Sequence, residues 1–143
     1  MAERRALIFG ARAWLDPALP DHPGVTPLLR RLAQRLEEGQ CVVRALLDDA
    51  PDDRQRPLLA NLLDGLSWLA ASPEPPLLLL SGAVREGAFL PRDARASRLE
   101  RTGLRLDELL GELPPTAGAI LDCPAAPAAA GRLRWAVGAA QAP

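Results

Sequence analysis

The chain reads as an α/β protein, a three-layer α/β/α sandwich around a mainly parallel sheet. Three observations predict this. Short, mainly apolar runs recur at 6–9, 41–47, 77–80 and 117–121, as in buried parallel strands. Leucine and alanine at three- and four-residue spacing fill the stretches between them, the period of an amphipathic helix. Proline and glycine punctuate most of the junctions.

The first strand is Ala6-Leu7-Ile8-Phe9, closed by Gly10. Residues 11–24, with Pro17, Pro20 and Pro23, read as a loop. Thr26-Pro27 opens a helix, with threonine as the cap and proline where no hydrogen bond is lost. Leu28, Leu29, Leu32, Ala33 and Leu36 form its apolar stripe, and Gly39 is its expected left-handed stop. Cys41 to Leu47 is the second strand, and the run Asp48, Asp49, Asp52 and Asp53 is a solvated acidic turn that caps the next helix. That second helix, to about Ala70, carries Leu58, Leu59, Leu62, Leu63, Leu66 and Leu69, with Pro57 in its first turn. Leu77 to Leu80 is the third strand, and 85–93 a small hairpin or extended excursion. A third helix is expected over 104–113, stopped by Pro114-Pro115, then a fourth strand at 117–121 and a fifth from Leu133 to Ala139.

All 143 residues are expected to form one domain, of ordinary composition with 48% apolar and 24% charged residues. The net charge of −1 gives no electrostatic footprint for nucleic acid or anionic membrane, and three Trp, two Phe and no Tyr make a poor base-stacking platform. All 17 basic residues are arginine, a compositional bias that strips arginine of weight where local context is lacking. Two distant cysteines, Cys41 and Cys123, and a single histidine, His22, form neither a disulfide framework nor a metal-ligand pattern. No cofactor is expected. The four-residue apolar run near the N-terminus is too short for a secretory signal, so the expected location is the cytoplasm. The sequence lacks both Gly-x-Gly-x-x-Gly after the first strand and a phosphate-binding Gly-Lys-Ser/Thr loop, which disfavours a nucleotide-binding domain.

Several segments, in order, carry a family resemblance. They are Ala6-Leu7-Ile8-Phe9-Gly10 with Trp14, Leu19-Pro20-Asp21-His22-Pro23-Gly24, Leu32 to Leu36 with Glu38-Gly39 and Val42-Val43, Leu78-Leu79-Leu80-Ser81-Gly82, Phe89-Leu90-Pro91-Arg92-Asp93-Ala94, and Ala119-Ile120-Leu121-Asp122. This succession resembles the bacterial caspase-like cysteine proteases, the metacaspase or peptidase C14 group. The resemblance implies a histidine in a Ser-Gly-His-Gly segment and a cysteine in an Asp-x-Cys segment. Ala83 stands at the histidine position, Val84 at the second glycine and Pro124 at the nucleophile. Alanine accepts no proton, and proline has neither a thiol nor a backbone N–H for an oxyanion hole.

The resemblance therefore implies a pseudo-enzyme: a truncated domain without the His/Cys dyad, matching the large-subunit-like portion and lacking the smaller C-terminal one. It implies a protein-interaction or scaffold module in a bacterial defence or signalling system. A protein partner or fused domain would cover the last strand, Leu133 to Ala139, as an otherwise open sheet edge. An alternative is an active cysteine hydrolase using Cys123 with an unorthodox base such as His22. Against it stands Cys123 as a buried small hydrophobe at a strand end, and His22 as a solvated loop residue. Asp93 and Asp122 fall where the family has acidic residues near its cleft, and are expected to cap loops or hold arginines. Arg92, Arg95, Arg98, Arg101 and Arg105 have the spacing of one helix face, either solvated or docking an acidic partner. Trp68 is expected to face the core, while Trp14 and Trp135 sit where binding aromatics occur.

Overall fold

A computed structural model of the chain describes residues 3–19, 21 and 25–123. The elements run β1 (Arg4–Gly10), α1 (Thr26–Glu38), β2 (Cys41–Leu47), α2 (Leu59–Ala70), β3 (Leu77–Ser81), β4 (Val84–Arg85), β5 (Ala88–Phe89), α3 (Leu99–Thr102), β6 (Leu104–Arg105), α4 (Leu106–Gly111) and β7 (Gly118–Asp122), with single 3₁₀ turns at Asp53–Gln55 and Ala96–Arg98. The main sheet has the order β2-β1-β3-β7, and every pair in it is parallel. The fold is thus α/β with a parallel sheet, as the apolar runs predict. The second, smaller sheet, β4-β5-β6, is antiparallel.

Strand alternation sorts the core into two layers. Leu7, Phe9, Leu78, Leu80, Ala119 and Leu121 face α2 and α4, meeting Leu62, Leu66, Leu69 and Leu109. Ile8 and Leu79 face the other way, onto Leu29 and Ala33 of α1. Each leucine so buried contributes about 2 kcal/mol. Phe9 and Phe89 meet edge to face, with ring centroids 5.5 Å apart, and join the small sheet to the large one. A third cluster, Trp14, Leu19, Leu90, Ala94 and Leu99, fills the space under the loop after β1.

The structure moves several expected boundaries. Val25, not Thr26, is the N-cap of α1, and it offers no side-chain bond. Gly39 has φ −82, and the left-handed residue after α1 is Gln40 at φ 71. Pro57 lies outside α2, because Leu58 is extended at its N-cap. The expected helix over 104–113 is split: Leu104–Arg105 pairs with β5, and only Leu106–Gly111 is helical. Gly103 is extended, at φ −95 and ψ 167, and ends α3. A Cβ there would lie 3.0 Å from both the Ala88 Cβ and the Leu99 carbonyl, so glycine fits where a larger residue would not. Arg92, Arg95, Arg98, Arg101 and Arg105 therefore share no helix face. Leu28 and Leu63, assigned to apolar stripes, are 58% and 48% exposed. The 85–93 segment does form a hairpin, β4 to β5, turned by Glu86 and Gly87 at positive φ. The expected strand from Leu133 to Ala139, together with Trp135, lies outside the described residues.

Candidate functional site

Because the four strands are parallel and in close register, their carboxyl ends form one edge, with Gly10 beside Leu47 and Ser81, and Ser81 beside Asp122. This is the edge at which α/β sheets present sites. Two backbone bonds tie the strand ends together beyond the ladder, Ala11 N–H to the Ser81 carbonyl at 2.9 Å and Gly82 N–H to the Asp122 carbonyl at 3.1 Å.

Arg12 is the organising side chain. Its guanidinium, 7% exposed, crosses the end of β3 to reach β7. Nε and Nη2 donate to Ser81 Oγ at 3.1 and 2.7 Å, and Nη2 also donates to Asp122 Oδ2 at 2.9 Å. The Ser81 hydroxyl donates onward to Asp122 Oδ2 at 3.1 Å. Below the clasp, Asp48 at the end of β2 accepts the Arg12 backbone N–H at 2.7 Å and Arg92 Nη1 at 3.1 Å. Burial raises the Asp48 carboxyl above its ordinary value, against the opposing pull of those donors. Asp48 is thus a half-buried tie between loops, where a solvated acidic turn was expected.

The residues that the resemblance singles out sit around this clasp. Ala83 is half-buried against the third cluster, and its carbonyl accepts the Leu90 N–H at 3.0 Å. Val84 is 8% exposed and belongs to the core. Cys123 is 1% exposed, its Sγ 3.9 Å from the Leu80 carbonyl. Burial, aided by the adjacent Asp122 charge, pushes its thiol up to about 12, so it is neutral at physiological pH. This matches a buried small hydrophobe at a strand end. Pro124 and His22 lie outside the described residues.

Asp122 and Asp93 both take the places expected of capping or arginine-holding acids. Asp122 holds Arg12, and Asp93 accepts the Leu59 N–H at 2.9 Å, capping α2 from a loop 34 positions away. Asp16 accepts the Ala18 and Ala96 N–H groups, and these bonds lower its pKa. Trp14 is buried, its indole N–H donating to the Leu90 carbonyl, so it offers no exposed binding face. Trp68 is partly buried on the core and flanked by Arg5 and Arg44, whose guanidinium carbons are 5.2 and 4.4 Å from its ring. Cys41 is half-buried at the start of an outer strand, not in the core.

Chemically, the clasp is a closed circuit. The Ser81 hydroxyl is fully buried, accepts from one cation and gives its proton to one carboxylate, which leaves it no access to a substrate. Among the described residues no group of His, Cys, Asp and Glu could hold a metal ion. A hollow of about 310 Å³ beside the clasp is lined by Arg12, Ala13, Asp21, Thr26, Pro27, Asp48 and Asp49. A larger one, about 560 Å³, lies away from this edge against β2. No helix of the described residues is long and apolar enough to cross a membrane.

Arg12 is the residue that sequence reasoning passed over. In a chain whose every basic residue is arginine, its type carries no signal. Its position two residues beyond a strand end was the one available clue. No protein-family model matches this chain, and no curated protein is similar to it.

Proposed function

We propose that the chain is a catalytically inactive relative of the caspase-like proteases, working in the bacterial cytoplasm as an interaction or scaffold module. The observation that carries this reading is the state of two neighbouring strand ends. The resemblance needs β3 and β7 side by side, so that its base and nucleophile meet, and Ser81 and Asp122 are paired in register. Beyond them stand Ala83 and, in sequence, Pro124, while Arg12 spans the gap that a substrate would enter. The buried, neutral Cys123 weighs against the hydrolase alternative. The partner surface implied by the resemblance is the segment from Leu133 to Ala139.

The test is covalent. The chain is incubated at neutral pH with acyloxymethyl ketone peptide probes carrying Asp or Arg at the cleavage position, and labelling is mapped by mass spectrometry. The expected result is no adduct on Cys123 in the native protein. An adduct on Cys123 that forms only in the folded chain restores the hydrolase. In parallel, proteins that co-purify from the native host with the wild-type chain should be lost when residues 133–139 are replaced by a Gly/Ser stretch.

A further inference from the structure

We draw no further inference here: the strongest candidate, the hollow of about 310 Å³ where Asp21, Asp48 and Asp49 meet the start of α1 at Thr26 and Pro27, carries nothing, because its carboxylates are already taken by the Trp14 and Arg12 backbone N–H groups and the guanidinium groups of Arg92 and Arg30, and no second observation in the structure points to a ligand there.

Discussion

Arg12 Nη2 lies 2.9 Å from Asp122 Oδ2, joining residues 110 positions apart across a strand that belongs to neither. The two ends of this pair differ sharply in solvation. The Arg12 side chain is 7% exposed and that of Asp122 56%. The centre of this edge is held by the chain's own ion pair.

That asymmetry predicts an order of stabilities. Arg12→Met removes the buried charge and leaves a hydrated Asp122 still accepting from Ser81, so it should cost about 1 kcal/mol. Asp122→Ala leaves the guanidinium buried without a counterion and should cost about 2–3 kcal/mol. The double variant should be no worse than Asp122→Ala alone. Urea unfolding of the three proteins decides the matter, and the opposite order would mean that the pair is a surface bridge of little weight.

Two glycines should behave in opposite ways. A Cβ on Gly82 would lie 2.8 Å from the Ala11 carbonyl oxygen and 3.1 Å from the Phe89 ring. The Ala11 carbonyl is backbone beside the strand-end ties and has little room to yield, so Gly82→Ala should cost about 1–3 kcal/mol. Gly111, the last residue of α4, has nothing within 4 Å of such a Cβ, and Gly111→Ala should stabilise by about 0.5–1 kcal/mol. Thermal melts of the two variants should move to either side of the wild type. Equal shifts would contradict the packing described around Gly82.

Cys123 predicts an alkaline weakness. Its thiol is pushed up to about 12 in the fold, against an ordinary value of 9.0. The folded state therefore holds the proton more tightly than the unfolded chain. This stability is fully present below about pH 9 and is lost as pH rises towards 12, at about 1.4 kcal/mol per unit within that window. Denaturant midpoints at about pH 8, 9 and 10 should fall for the wild type, and the decline should be shallower in Cys123→Ala. Parallel declines in the two proteins would remove the thiol from the explanation. At neutral pH, iodoacetamide should modify half-buried Cys41 well before Cys123.

The inner strands of the large sheet were legible because a parallel strand buried on both faces must be a continuous apolar run, as in Leu77 to Leu80, and β2 matches its expected bounds although Arg44 interrupts it. The start of α1 at Thr26 was legible too, but that of α2 was not, because its cap comes from elsewhere in the fold. The acid that caps α2 is Asp93, beyond the next strand, so neither Leu58 nor Pro57 advertises the boundary. The arginine row from 92 to 105 misled because three-to-four spacing survives in the letters while the chain passes through a loop, a 3₁₀ turn, a four-residue helix and a strand. The clasp was hidden for a related reason. Ser81 and Asp122 become neighbours through strand order alone, and that order is a property of the whole sheet.

The strand order also bears on how the protein is made. β3 lies inside the sheet, yet one of its two neighbours, β7, begins only at Gly118. A ribosome that has released the chain as far as Pro114 has delivered β1, β2 and β3 with the β3 flank bare and Arg12 without its carboxylate. At about 5–20 residues per second this interval is brief, but it exposes an apolar strand edge throughout. The chain is therefore most vulnerable to misassociation before β7 is delivered, and chaperone contact should concentrate on nascent chains stalled before Gly118.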